Sequence, residues 1–228
     1  MNESVLIIAA HPDDEIIGCG GTIAKHTENG DEVNIVIVAE GATSRSQNRS
    51  RENSKNELQE LSKAAKNSSK IIGSKSLEIL NLPDNRLDSI EILEIIKIIE
   101  SKISKYNPTI IYTHHYGDLN IDHQIIHNAV LTAARPVPDS SIKKVLSFEI
   151  ASSTEWNRSD SNIFKPNYFV SIEKQISKKI EALKFYKSEM REWPHPRSYE
   201  NILNLAKVRG SQVGYEYAEA FCLIRQIA

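Results

Sequence analysis

VLIIAAHPDDE, residues 5–15, is the stretch of sequence that decides the fold. It begins with a Val/Ile-rich run that is too short to cross a membrane and suits a buried core strand. An imidazole, a proline and three carboxylates then follow within five residues. The stretch therefore predicts a core strand that ends in a polar turn, followed by a helix to about Asn29.

The same alternation of strands and helices continues along the chain. Further apolar runs suited to strands lie at 33–40, 76–82, 109–115, 143–150, 167–172 and 218–227. Helical patterns lie at 90–103, about Ile121 to Ala134, 178–190 and 198–210, with a loop and a solvated helix within 43–75. Near-continuous apolar strands separated by helices are typical of a parallel sheet that is covered on both faces. We predict an α/β fold, a Rossmann-like three-layer α/β/α sandwich with a mostly parallel sheet, as a single domain over residues 1–228.

Composition and charge narrow the range of partners. Lys and Arg number 28 against 30 Asp and Glu, so the net charge is −2. No broad basic field is available to attract nucleic acid or an anionic membrane. Cys19 and Cys222 are too few for a disulfide framework, and the N-terminal run lacks the basic start of a signal peptide. We expect a cytoplasmic protein with a small-molecule substrate, no nucleic-acid partner and no membrane insertion, and we leave open whether it forms a homo-oligomer.

The polar turn after the first strand is a candidate metal site. Burying His11, Asp13 and Asp14 together is costly unless they have a partner. A divalent cation would offset the repulsion between the two carboxylates and use the imidazole as a nitrogen ligand. The alternative is an ordinary helix N-terminus, where acidic residues complement the helix dipole.

A second polar cluster, DLNIDH at 118–123, follows the strand at 109–115 and opens a helix. Loops that leave the carboxyl ends of parallel strands line one crevice, so we expect both clusters to share a rim. His123 is predicted to lie in the first turn of the helix, with Asp122 beside it to orient ligands. Asp118 and Asn120 equally suit a helix N-cap. Two nitrogen ligands, one carboxylate and an open position for water are typical of a catalytic zinc site.

With these motifs the chain resembles the PIG-L/LmbE-like de-N-acetylases over essentially its whole length. The hallmarks are the AHPDDE string at 10–15 and the later pair Asp122-His123. The resemblance implies a hydrolase that removes the acetyl group from an N-acetylated amino sugar (a glycoside, sugar nucleotide or glycan precursor) and releases acetate. It implies that His11, Asp14 and His123 hold Zn²⁺ and that Asp13 is the general base. Fe²⁺ or Co²⁺ would also suit such a nitrogen and oxygen site.

The chain departs from the family pattern at Asn120, where members often carry a histidine that is thought to assist the oxyanion. Asn120 can donate a hydrogen bond, but it cannot act as a general acid. His114, His115 and His195 are candidates to supply an imidazole instead. For each of them a structural, hydrogen-bonded histidine is at least as good an interpretation.

Substrate contacts are predicted at five positions. Asp84 follows the third strand, where relatives place a carboxylate that binds sugar hydroxyls, although the residue equally suits a turn. His195 and Arg197, in EWPHPRS at 192–198, suit a sugar, phosphate or carboxylate as well as helix-end packing. Arg45, with Arg49 and Arg51 as alternatives, would replace an arginine that relatives carry on the second helix, and His115 completes the set. A non-catalytic sugar-binding protein, or a hydrolase of another amide or an ester, is the alternative function.

Overall fold

The computed structural model describes residues 2–45, 52–157 and 162–228. Within these ranges the strands are β1 (Ser4–Ala9), β2 (Glu32–Ala39), β3 (Ser76–Leu82), β4 (Ile110–His114), β5 (Lys144–Phe148), β6 (Tyr168–Ser171) and β7 (Ala218–Gln226). The helices are α1 (Asp14–Glu28), α2 (Lys55–Ile72), α3 (Ile92–Tyr106), α4 (Ile121–Ala133), α5 (Ile176–Leu183) and α6 (Tyr199–Ser211).

The strands form one sheet in the order β3-β2-β1-β4-β5-β7-β6. Strands β1 to β5 pair in parallel, and β7 runs antiparallel to its neighbours β5 and β6. The predicted mostly parallel sheet is confirmed. Because the strand order reverses between β1 and β4, a crevice opens at their carboxyl ends, which is where open α/β sheets bind ligands.

Helices cover both faces of the sheet, so the predicted three-layer sandwich is also confirmed. The alternation of side chains along β1 divides them between two cores. Val5 and Ile7 pack into the core under α1, α2 and α5, whereas Leu6 and Ile8 pack into the core under α3 and α4. All four side chains are fully buried, which explains why the strand is apolar on both faces.

Glycines let helix α1 approach the sheet closely. A Cβ atom on Gly18 would lie 2.4 Å from Cδ2 of Phe148 on β5, a distance that requires the ring to move. Only a residue without a Cβ atom lets the backbone of α1 approach the sheet this closely at position 18.

Helix α1 is interrupted at Cys19, where φ is −149° and ψ is 22°. The buried carboxylate of Glu219 on β7 accepts hydrogen bonds from the backbone N–H groups of Gly21 (3.0 Å) and Thr22 (2.6 Å). Lys179 on α5 pairs with Glu219 at 2.6 Å. The ion pair thus satisfies backbone donors inside the protein, where an unpaired donor would be costly.

The helix predicted at 178–190 is shorter in the structure. Helix α5 ends at Leu183, and a 3₁₀ turn, Lys184–Tyr186, follows it. The turn directs Tyr186 into the core, where its hydroxyl reaches Glu15 at the start of α1. Among the described residues, no helix combines the length and the apolar character that crossing a bilayer requires.

Candidate metal centre and hydrolytic site

The two polar clusters meet at the crevice between β1 and β4. His11, Asp13 and Asp14 lie where β1 passes into α1, and His123 lies in the first turn of α4. The two strands are parallel neighbours, so the loops at their carboxyl ends lie side by side. The expectation of a shared rim is therefore confirmed.

Three candidate ligand atoms form a nearly equilateral triangle. Nδ1 of His11 lies 3.3 Å from Oδ2 of Asp14 and 3.3 Å from Nε2 of His123. The remaining side, between Nε2 of His123 and Oδ2 of Asp14, measures 3.2 Å. A tetrahedral zinc site with bonds of about 2.0–2.1 Å has ligand–ligand edges of about 3.3 Å. Among the described residues, these three side chains form a group that is suited to hold a metal ion. The distances between their ligand atoms fit zinc.

The chemistry of the donor set also fits a cation. Asp14 is completely buried, and its Oδ1 has no hydrogen-bond partner among the described residues. Its Oδ2 accepts a hydrogen bond from the backbone N–H of His11 at 2.9 Å. A buried carboxylate oxygen without a partner is unfavourable unless a cation compensates it.

The far side of the His11 ring faces two more carboxylates. Nε2 of His11 lies 3.1 Å from Oδ2 of Asp122 and 3.4 Å from Oδ1 of Asp84. Burial lowers the pKa of His11, but the hydrogen bonds to Asp122 and Asp14 outweigh it and raise the pKa to about 10. Asp122, which the sequence predicted to orient ligands, therefore contacts the candidate ligand on the opposite loop, His11. A carboxylate behind a histidine ligand fixes the tautomer and orientation of the ring.

Asp118 and His114 flank His123. Nδ1 of His123 lies 3.1 Å from Oδ1 of Asp118, and the ring of His114 stacks on the ring of His123 with centroids 3.9 Å apart. Burial lowers the pKa of His123, but the charges of Asp14 and Asp118 raise it to about 9. The pKa of His114 falls well below its usual value because of burial and the neighbouring His123. His114 thus lies behind the site as a neutral ring.

Asp13, the predicted base, is held by contacts on two sides. Its Oδ2 accepts a hydrogen bond from Nη1 of Arg197 at 2.7 Å. Its backbone N–H donates to Oε2 of Glu15 at 3.1 Å, and Oε1 of Glu15 accepts from the Tyr186 hydroxyl at 2.5 Å. The backbone of Asp13 has φ 108°, a conformation that costs a non-glycine residue free energy.

Burial raises the pKa of both Asp13 and Glu15. It raises the pKa of Asp13 well above the usual range, against the opposing effect of Arg197. It raises the pKa of Glu15 to about 7, against the hydrogen bond from Tyr186.

Asn120 caps helix α4. Its Oδ1 accepts from the backbone N–H of Asp122 at 2.9 Å, and its Nδ2 donates to Oδ1 of Asn85 at 2.8 Å. Asn85 in turn donates to Asp84 at 3.0 Å. Asn120 thus begins a chain of side-chain contacts that ends at His11, and its amide oxygen and nitrogen both have protein partners.

The predicted substrate-binding residues are divided between several places. Asp84 is buried beside His11. Nδ1 of His195 accepts a hydrogen bond from the backbone N–H of Arg197 at 3.0 Å. His115 accepts from the backbone N–H of Gly117 and packs against Phe164, without a described contact to the three candidate ligands. Arg49 and Arg51 lie outside the described residues, and so does the side chain of Arg45.

The residues that support the site from behind carry no recognisable signal in the sequence. Glu15 belongs to the AHPDDE motif, but the motif does not reveal that its carboxylate accepts a hydrogen bond from the backbone N–H of Asp13. That hydrogen bond depends on the unusual backbone conformation of Asp13. Tyr186 and the loop at 150–157 lie far away in sequence. In that loop, Ser153 and Thr154 donate hydrogen bonds to the two oxygens of Asp118.

Comparison with known proteins identifies relatives that cover most of the chain. The family model described as PIG-L, GlcNAc-PI de-N-acetylase, matches residues 6–134. The uncharacterized deacetylase YaiS of Escherichia coli (strain K12) is 27% identical over 82% of this chain and 91% of its own. The probable N-acetyl-alpha-D-glucosaminyl L-malate deacetylase 2 of Bacillus anthracis is 25% identical over 81% of this chain and 80% of its own. The N,N'-diacetylchitobiose deacetylase of Pyrococcus horikoshii has a similar fold, with a TM-score of 0.78 and 21% identity over 97% of this chain and 83% of that chain.

Proposed function

This chain belongs to the PIG-L family, whose model matches more than half of it, and we propose that it is a metal-dependent hydrolase that removes the acetyl group from an N-acetylated amino sugar. The observation that carries the proposal is the triangle of His11, Asp14 and His123 with the buried carboxylate of Asp13 next to it in the chain. We extend the deacetylase domain over residues 1–228.

Zinc is the metal that we propose for the site. Two imidazole nitrogens and one carboxylate oxygen are the donor set of several catalytic zinc sites, and the triangle edges of 3.2 to 3.3 Å suit that ion. When bound, zinc polarises a carbonyl group and acidifies a water molecule. Fe²⁺ or Co²⁺ would suit the same nitrogen and oxygen donors.

Asp13 moves the proton in the proposed reaction. Water adds to the acetyl carbon, the C–N bond of the acetamide breaks, and acetate and the free amino sugar result. The Asp13 carboxylate takes a proton from the water and passes it to the leaving nitrogen. Its burial beside the candidate ligands suits a group that must hold a proton between these two events.

The surrounding residues orient the reacting groups. Asp122 and Asp84 hold the ring of His11, and Asp118 lies against the ring of His123. We propose that Asn120 acts through the contacts that hold Asp84, because both ends of its amide have protein partners. Arg45, Asp84, His115 and His195 remain our candidates for substrate contacts, whereas the guanidinium of Arg197 donates to Asp13.

The test combines metal analysis with an assay of acetate release. Purified protein should contain about one zinc per chain and release acetate from at least one substrate in a panel of N-acetylglucosamine, N,N'-diacetylchitobiose, N-acetylglucosaminyl malate and sugar nucleotides. Asp13→Asn should keep the metal and lose turnover. Absence of both metal and acetate release would refute the proposal.

Two further arms separate the alternatives. O-acetylated sugars in the same assay test an esterase, which would release acetate from them and not from the N-acetylated panel. A sugar-binding protein would bind the panel by calorimetry, and Asp13→Ala would have no turnover to remove.

A further inference from the structure

We propose that Arg197 is a positioning residue that fixes the carboxylate of Asp13 for proton transfer, an inference that rests on the proposed function. The two residues come from distant parts of the chain, yet Nη1 of Arg197 and Oδ2 of Asp13 form an ion pair at 2.7 Å. Arg197 is the side chain that donates a described hydrogen bond to this carboxylate.

The ion pair has little freedom to move at the Asp13 end. Asp13 is 1% exposed, and its backbone is held in the φ 108° conformation by the hydrogen bond from its N–H to Glu15. With the backbone fixed, rotation of the side chain is the freedom that remains. The guanidinium restricts that rotation, because a charge-assisted hydrogen bond is directional and strong in a buried setting.

Arg197 is itself fixed by a second anchor. Its Nε donates to Oγ of Ser152 at 2.8 Å, and its backbone N–H donates to Nδ1 of His195 at 3.0 Å. An arginine that bonds through two different nitrogens of its planar group has a defined orientation, which a lysine ammonium in the same place would lack.

The anchor at Ser152 also connects the two halves of the site. The next residue, Ser153, and then Thr154 donate hydrogen bonds to Asp118, which lies against His123. One short loop therefore sets the direction of Asp13 through Arg197 and the direction of His123 through Asp118. Such coupling would keep the position of the Asp13 carboxylate constant relative to the three candidate ligands.

The experiment compares Arg197→Ala and Arg197→Lys with the exposed control Arg191→Ala, using the zinc-loaded protein and a substrate that the wild type deacetylates. Arg197→Ala should lower kcat by about 100-fold, the cost of a small misplacement of a reacting group, while KM and zinc content change little. Arg197→Lys should recover part of kcat, and millimolar guanidinium chloride should recover part of the activity of Arg197→Ala. Arg191→Ala should resemble the wild type.

Three results would overturn the inference. A rise in KM with kcat unchanged would make Arg197 a substrate contact, and unchanged kinetics would remove any role. A loss of kcat that neither lysine nor guanidinium restores would make its role merely structural.

A crystal structure of Arg197→Ala gives a readout that does not depend on turnover. The Asp13 carboxylate should rotate away from its wild-type direction, and an unmoved carboxylate would contradict the inference. If the wild type releases no acetate, the proposed function fails, and this structure still decides whether Arg197 positions Asp13.

Discussion

Asp122 contacts His11, across the crevice, and not His123, its neighbour in the chain. The distance from Oδ2 of Asp122 to Nε2 of His11 is 3.1 Å, and Oδ1 of Asp122 accepts from the backbone N–H of Leu87 at 3.0 Å. Helix α4 therefore supplies one candidate ligand, His123, and also orients another that follows β1. The contact between Asp122 and His11 therefore connects the first turn of α4 with the polar turn after β1.

Replacing Asp122 should weaken metal binding without removing a ligand. We expect Asp122→Ala to lower zinc affinity by about 10- to 100-fold, the usual effect of losing the carboxylate behind a ligating histidine. The matched control is Asp88→Asn, which changes an exposed acid on the 3₁₀ turn Leu87–Ser89 and should leave the affinity unchanged. Competition with a zinc chelator measures the affinity, and equal values for the two variants would refute an orienting role.

The metal-free protein should lose stability as the pH rises. The pKa values of His11 and His123 are raised from 6.5 to about 10 and about 9 in the folded state, so folding favours the protonated rings. Their contribution is complete below pH 6.5 and is lost as the pH rises through the folded values. Urea unfolding of chelator-treated protein across this range should show the decline, and the double variant His11→Asn/His123→Asn should show a smaller one.

Asp13 should carry a cost in stability that glycine relieves. Asp13→Gly and Asp13→Ala both remove the carboxylate and so should both lose turnover. At φ 108° the glycine variant should be more stable than the alanine variant by about 1 kcal/mol, because alanine has a Cβ that clashes in this conformation. Urea unfolding measures the difference, and equal stability would show that the backbone at Asp13 relaxes freely.

The ion pair between Lys179 and Glu219 should be essential for folding stability. Lys179→Met leaves the Glu219 carboxylate buried and uncompensated beside the interruption of α1, so the free energy of unfolding should fall by about 3–5 kcal/mol. Lys178→Met removes a neighbouring lysine that pairs near the surface with Glu28 at 2.6 Å, and it should change the free energy of unfolding by less than about 1 kcal/mol. Equal effects of the two changes would contradict the role given to the pair.

The fold follows from patterns that are local in the sequence. Apolar runs separated by helical patterns predicted the parallel sheet, because a strand that is buried on both faces carries apolar residues at nearly every position. The positions of VLIIAA before HPDDE and of TIIYTHH before DLNIDH predicted a shared rim, because the carboxyl ends of parallel strands lie at the same edge. The meeting of His11, Asp14 and His123 was predictable for that reason.

The partners of those residues were decided by the tertiary structure alone. The sequence predicted that Asp122 orients ligands without indicating which one, and the first turn of α4 directs its carboxylate to His11. The bond between Arg197 and Asp13 depends on the paths of two loops, and so does the anchor at Ser152. The sequence by itself therefore determined the sheet and the three candidate ligands. Only the folded chain decided which carboxylate, guanidinium or hydroxyl orients each of them. Side-chain contacts between distant loops do not produce a periodic pattern in the sequence from which they could be predicted.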